Sequence, residues 1–280
     1  MSAVSRIELP LILGGHSFIA QLGSDPRADP DLQVAIVRRC IDLGIYWVDT
    51  TYQPERIALG EVLARLPRRA YVRVMAWNFF RDFDDAGDLG GADYYEPHHL
   101  QLILDQLQSD TIDSLVVHWL DDDKRNREQE ELAIRWVNDG KVKRLGIWGA
   151  PTDAAKRYTS VNPYSFVVRP VNITTGDCAE SLAWARSLRW RNVGTSPFVR
   201  GWHLDKLIKK AIEREGGTAA DWSSKISGLL LRYSLYQPNV DAMIVAMRKP
   251  EWVEANAAAV MKGDLAPEER AWLVALNAAL

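Results

Sequence analysis

Eight short β-branched or apolar runs recur along this chain, separated by longer amphipathic or polar stretches, and that alternation limits the fold more than any other feature. The runs are Leu9–Gly15 (LPLILGG), Ile45–Thr50 (IYWVDT), Tyr71–Trp77 (YVRVMAW) and Ser114–Trp119 (SLVVHW). They continue with Val142–Trp148 (VKRLGIW), Ser165–Val171 (SFVVRPV), Asn192–Ser196 (NVGTS) and Asp241–Met247 (DAMIVAM). Such runs read as buried strands. The stretches between them read as helices. In DLQVAIVRRCIDLG, Leu32, Ile36, Val37 and Ile41 fall at helical spacing, with Asp31 as the expected N-cap and Gly44 as the expected stop. HHLQLILDQLQ, EQEELAIRWVNDGK and AESLAWARSLR read the same way.

Strand alternating with helix implies a parallel sheet, because a parallel neighbour needs a crossover and a helix is the usual one. Eight such units in 280 residues fit a closed (β/α)8 TIM barrel rather than an open doubly wound sheet. No GxGxxG follows any strand, so a Rossmann site has no support. No repeat, low-complexity tract or linker divides the chain, and residues 1–280 read as one barrel domain.

Composition removes several classes of function. At 47% hydrophobic and 25% charged residues the chain can bury a sizeable core. The net charge of -3 is spread over mixed acids and bases, which argues against a nucleic-acid partner. Cys40 and Cys178 lie far apart and read as reduced thiols. The start, MSAVSRIELP, has no apolar leader core, and no run is long enough to span a bilayer. The expectation is a cytoplasmic protein with no membrane partner. The loop DFDDAGDLGGAD, with Asp82, Asp84, Gly87 and Asp88, resembles a calcium loop only faintly. It has no closing glutamate and no entering helix, so it reads as a solvated loop and no metal is expected.

In a barrel of this kind, function sits at the C-terminal strand ends. There the second run presents Asp49 with Tyr52 beyond it, the third Trp77 and Asn78, and the fourth His118 and Trp119. The fifth presents Trp148, the sixth Arg169 and Asn172, and the seventh Ser196 and Phe198, with Arg200 and Trp202 beyond. The eighth leads to Arg248 and Lys249. Of eleven tryptophans, Trp77, Trp119, Trp148 and Trp202 therefore read as pocket walls. Trp47, Trp136, Trp184 and Trp190 read as core or helix packing. Asp49, Tyr52 and His118 are the acid–base candidates. Arg169 and Asn172 are pocket candidates, and Arg169 and Arg200 could clamp a substrate anion.

These residues carry a resemblance along nearly the whole chain. LGIYWVDTTYQPERIALGEVL resembles the segment of the aldo-keto reductase superfamily built round GI, DTA, YG and LG. YYEPHHLQLILDQLQSDTIDSLVVHW, VNDGKVKRLGIWGAP, TSPFVRGWH and LLLRYSLYQPNVDAMIVAMRKPEWVEAN are similar to four further segments of that family, in the same order. The resemblance implies a (β/α)8 barrel of aldo-keto reductase type that reduces a carbonyl with NADPH. The family's catalytic groups are an aspartate, a tyrosine, a lysine and a histidine. The tyrosine gives the proton, tuned by the lysine, and the histidine orients the substrate.

By position, Asp49 matches the aspartate and His118 the histidine. Tyr52 matches the tyrosine but lies closer to the aspartate than in the family, three residues on. The lysine slot holds Trp77 or its neighbour Ala76. The pair that holds the nicotinamide amide is Trp148-Gly149, its glutamine partner is Arg169, and the stacking aromatic falls at Thr195. The basic residue after Pro-Glu is Trp252. Ser196, Phe198, Arg248, Lys249 and Asn256 remain as NADP(H)-binding candidates.

Three readings follow. The first is an NADP(H)-dependent oxidoreductase of a small carbonyl or hydroxyl compound, as the family implies. The second is a redox-neutral acid–base enzyme (dehydratase, isomerase or lyase) in the same barrel. The third is a non-catalytic barrel that binds a ligand or partner.

Overall fold

The computed structural model describes residues 7–19, 29–67, 69–80, 90–148, 162–176, 178–199 and 201–280. Arg81, Gly149, Arg200 and residues 82–89 of the acidic loop lie outside them. All eight expected strands are present, each trimmed at one or both ends or shifted by about a residue. They are β1 (Leu11–Leu13), β2 (Trp47–Thr50), β3 (Arg73–Trp77), β4 (Ser114–His118), β5 (Leu145–Trp148), β6 (Tyr164–Pro170), β7 (Arg191–Thr195) and β8 (Ala242–Val245). Each pairs in parallel with its neighbours, and β1 pairs with β8, so the sheet closes into a barrel in chain order.

Alternation along each strand sorts side chains into two layers. Ile12, Met75, Trp77, Val116, Phe166, Val168, Val193 and Ile244 pack in the lumen. Leu11, Leu13, Val48, Val74, Ala76, Leu115, Val117, Ile147 and Val167 pack outward against the helices. The middle of the lumen is filled, and one glycine makes that filling work. A Cβ on Gly146 would lie 2.2 Å from the Phe166 ring, so the ring takes the space a side chain on β5 would need.

Nine α-helices occur among the described residues. They are α1 (Pro30–Asp42), α2 (Gln53–Ala64), α3 (His99–Leu107), α4 (Asp123–Asn138), α5 (Ala179–Ser187), α6 (Gly201–Glu215), α7 (Ala219–Leu235), α8 (Pro250–Met261) and α9 (Pro267–Asn277). One expectation needs correction. The N-cap of α1 is Asp29, not Asp31, and its carboxylate accepts from the N–H groups of Asp31 and Leu32 at 3.0 and 2.8 Å. Pro30 explains the shift, since proline suits the first helical position, where no N–H is needed. Gly44 ends the element as expected, with φ of +82°. Cys40 and Cys178 are free thiols. Among the described residues, no helix is long and apolar enough to cross a membrane.

Helices α2 and α3 meet at Gly60, where an added Cβ would stand 2.1 Å from the Gln106 carbonyl oxygen. Alanine is the better helix former by about 1 kcal/mol. A contact that short with backbone must push the helices apart, and overpacking of this kind costs about 1–3 kcal/mol. Gly60→Ala is therefore expected to lower stability in urea unfolding by up to about 2 kcal/mol net. A stabilised variant would show that the helices separate freely.

Candidate active site

The C-terminal mouth of the barrel gathers side chains from β1 to β5. Asp49, Trp77, His118 and Trp148 end or nearly end their strands at lumen-facing positions. Asp49 is 5% exposed, and its Oδ1 accepts a hydrogen bond from the Trp77 indole N–H at 2.5 Å. The Thr51 hydroxyl reaches its Oδ2 at 3.4 Å. Burial raises the Asp49 pKa most, the charge of Glu55 adds to it, and the Trp77 hydrogen bond, His16 and Thr51 pull the other way. The outcome is a carboxyl that titrates at about 7 rather than at its ordinary 3.8.

Two further titratable groups stand beside Asp49. His16, in a 3-10 turn over Gly15–Ser17 after β1, meets Glu55 of the first turn of α2, with Nδ1 and Oε1 2.6 Å apart. The other Glu55 oxygen accepts from the N–H groups of Thr51 and Tyr52 at 2.6 and 3.2 Å, the reach-back of a glutamate at the third helical position. Gly15 permits this approach, since its Cβ would lie 2.2 Å from that same oxygen. Burial pulls the His16 imidazole down, but the Glu55 hydrogen bond and charge, with the Asp49 charge, outweigh it and leave the pKa raised.

An aromatic chain links these groups to His118. The His16 and Tyr52 rings stack at 5.6 Å. Tyr52 meets Phe79 edge-on at 5.2 Å, and Phe79 in turn meets His118 at 5.6 Å. Trp148 packs against Trp77 at 5.4 Å and His118 at 6.0 Å. Phe79 thus stands between Tyr52 and His118. Burial lowers the His118 pKa to about 4, so the imidazole is neutral, and its buried Nδ1 has no hydrogen-bond partner among the described residues. Asn78 fixes the His118 backbone: its Oδ1 accepts from the His118 N–H at 2.9 Å, and its amide reaches the carbonyls of Asp93 and His118. Arg56, fully buried, donates to the carbonyls of Thr51, Trp77 and Phe79 and to Gln106. One guanidinium thereby ties the start of α2 to the end of β3.

The remaining candidates divide. Arg248 is buried, and its Nε donates to the His16 carbonyl at 3.1 Å. Lys249 is the N-cap of α8, its ammonium 5.3 Å from the Trp252 ring, and Asn256 is buried on the same helix. Ser196 follows β7 with φ of +55°, and Phe198 packs against the outer core. Asn172 is occupied locally, donating to the Ser196 carbonyl and accepting from Thr174. Arg169 faces α5, where its guanidinium bonds Ser181, and its buried Nε has no partner among the described residues. Trp119 packs outward, its indole N–H 3.4 Å from the Tyr164 hydroxyl. Trp202 lies on α6, 55% exposed. Of the four pocket tryptophans expected, the lumen mouth brings together Trp77 and Trp148.

Three residues of the cluster escaped sequence reasoning: His16, Glu55 and Phe79. His16 follows a glycine pair directly after the first strand, so it stands at a strand end like the others. Glu55 carries the capping spacing, three residues after Tyr52. Phe79 follows Asn78 with no pattern of its own.

A closed parallel barrel with buried acid–base groups at the C-terminal mouth defines the enzyme-bearing face of (β/α)8 proteins. This chain belongs to the aldo/keto reductase family, whose sequence profile matches residues 10–278. Among curated proteins, no sequence matches it. Among solved structures it is similar to the glycerol dehydrogenase of Gluconobacter oxydans, with a TM-score of 0.74 at 19% identity over 99% of this chain and 96% of that one. It is also similar to the holo form of an aldo-keto reductase from Bacillus halodurans, with a TM-score of 0.71 at 18% identity over 96% and 95% of the two chains. A third is an aldo/keto reductase from Klebsiella pneumoniae in complex with NADP and acetate, with a TM-score of 0.67 at 21% identity over 96% and 91%.

The Asp49 carboxyl makes stability depend on pH. Its pKa is about 7 when folded and near its ordinary 3.8 when unfolded, so the folded state holds an extra proton between those values. Its contribution is full below about pH 4, falls as pH rises and is gone above about pH 7, on the order of 4 kcal/mol in all. His16, also raised, acts in the same direction at higher pH. Asp49→Asn is expected to remove most of the fall between pH 4 and pH 7 in urea unfolding. An equally steep fall in the variant would place the titrating group elsewhere.

Proposed function

We propose that this chain is an NADP(H)-dependent oxidoreductase of the aldo/keto reductase family that acts on a small carbonyl or hydroxyl compound, with Asp49 handling the proton. The observation that carries this reading is the lumen carboxyl, held by Trp77 and titrating at about 7 at the mouth where this fold does its chemistry. A general acid works best with a pKa near the working pH. We further take the protein to be cytoplasmic.

The residues present fit the anionic end of a dinucleotide. Arg248 and Lys249 stand at the N-terminus of α8, with Asn256 buried two turns on. A helix N-terminus and two cations suit a phosphate, and Asn256 suits an adenine edge. Ser196 and Phe198 would border the rest of the cofactor beyond β7. When bound, NADPH supplies hydride to the carbonyl carbon. Asp49 holds the proton for the carbonyl oxygen, and the Thr51 hydroxyl at 3.4 Å connects Asp49 to the half-buried side of the mouth. His118 leaves the lone pair on its buried Nδ1, the cheaper orphan, so Nε2–H can donate to the substrate oxygen. Tyr52 lies against His16 and Phe79 at the same mouth, as the second candidate acid.

One observation favours a second reading, the redox-neutral acid–base enzyme. The place that the family resemblance gives to a lysine falls at Trp77 or its neighbour Ala76, and the Trp77 indole packs on Trp148. Asp49, Tyr52 and His118 would then work on a substrate that needs no hydride. Titration of tryptophan fluorescence with NADPH separates the two. Saturation at micromolar NADPH, with NADH weaker, is the expected result. No binding at millimolar NADPH would overturn the oxidoreductase reading in favour of the second. On the substrate that a carbonyl screen then identifies, Asp49→Asn is expected to lower kcat by about 10²–10⁴. A kcat close to the parent's would remove Asp49 from the chemistry.

A further inference from the structure

The barrel has a second mouth. At the N-terminal ends of the strands, opposite Asp49, a cavity of about 370 Å³ opens into the lumen. Its depth is apolar, formed by Met75, Phe166 and Val193. Its rim carries Arg73, Arg144 and Arg191 around Trp47. Trp47 pairs directly with Arg73 in the sheet, and guanidinium carbons lie 5.6 Å (Arg73) and 5.1 Å (Arg144) from its ring centre.

The charges on this rim do not cancel. Arg73 is neutralised by Glu8 at 2.9 and 3.1 Å. The other rim acid, Asp241, is held by Arg186 at 2.9 Å and by the Asn192 N–H at 2.7 Å. Among the described residues, Arg144 and Arg191 have no carboxylate partner. Two uncompensated guanidiniums therefore stand over an apolar well beside an indole face.

Stability alone does not account for this arrangement. A barrel end built only to be stable is plugged with apolar side chains at interior density, whereas among the described residues one end of this lumen is left open. The volume falls in the range of small-molecule sites, roughly 300–1,000 Å³. We infer that the N-terminal mouth is a binding site for a small organic anion with an apolar, preferably aromatic, body. The body fills the well against Phe166 and Trp47, and a carboxylate or sulfonate meets Arg144 and Arg191. Val116, Phe166, Val168 and Ile244 fill the lumen between this site and the Asp49 mouth, so the two are separate.

The test uses the full chain and the fluorescent probe anilinonaphthalene sulfonate, an aromatic ring system with one fixed negative charge. Saturable binding is expected, displaced by benzoate and weakened as salt rises. Replacing both rim arginines (R144A with R191A) removes charge-assisted hydrogen bonds and should weaken binding by at least about tenfold. Both side chains are exposed, so the melting temperature should stay near the parent's. Should that double variant not fold, Arg191→Gln is read in the same titration, with weaker binding expected. Absence of saturable binding overturns the inference. So does a probe affinity that the arginine variants leave unchanged, which would put the dye elsewhere on the barrel.

Discussion

A carboxylate shut inside a closed barrel has to find a donor or keep its proton, and Asp49 does part of each. The Trp77 indole gives it one hydrogen bond at 2.5 Å, while burial and the Glu55 charge hold its pKa at about 7. An indole N–H is a donor without a charge, so it orients the carboxyl without forcing it to ionise. A lysine in the same place would pull the pKa down and fix the charge. The surrounding structure serves this one bond. Arg56 is buried, its pKa lowered to about 10 by burial yet still charged, and it pins the carbonyls on both sides of the bond. Gly15 leaves the space through which Glu55 reaches Thr51 and Tyr52, just beyond Asp49 on the strand.

Much of this architecture was legible before any coordinates. The β-branched runs gave all eight strands, because a strand buried on both faces leaves an apolar run that composition alone reveals. Boundaries were less legible: α1 begins one turn-half earlier than its apolar pattern, since the cap is decided by Asp29 and Pro30 rather than by burial. At the site, Asp49, Trp77, His118 and Trp148 were reached by counting strand ends, and strand parity then sends all four into the lumen. The same parity separates Arg169 and Trp119 from them. Arg169 is one residue out of step with Val168 and so faces α5, and Trp119 lies one past His118 and packs outward. His16, Glu55 and Phe79 come from a turn, a helix start and a loop. No periodicity marks such positions, and only the closure of the chain brings His16 and Glu55 within 2.6 Å.

The two ends of the lumen illustrate how one fold divides its tasks. At the C-terminal end, burial shifts proton affinities: Asp49 up, His118 down to about 4, and His16 held up by Glu55 and Asp49. Groups pushed apart in this way can act as acid and acceptor at one pH. At the N-terminal end the charges are arginines, which keep their charge at any working pH and so suit binding rather than proton transfer. The packed middle of the barrel, with Phe166 seated over Gly146, keeps the two apart.

The most direct test of this account is the proton affinity of Asp49 itself, read from the carboxyl carbon by NMR across pH 3 to 9. A midpoint at about 7, moving upward in Trp77→Phe as the indole hydrogen bond is lost, is the predicted result. A midpoint near the ordinary value of 3.8, or one that Trp77→Phe leaves in place, would contradict it.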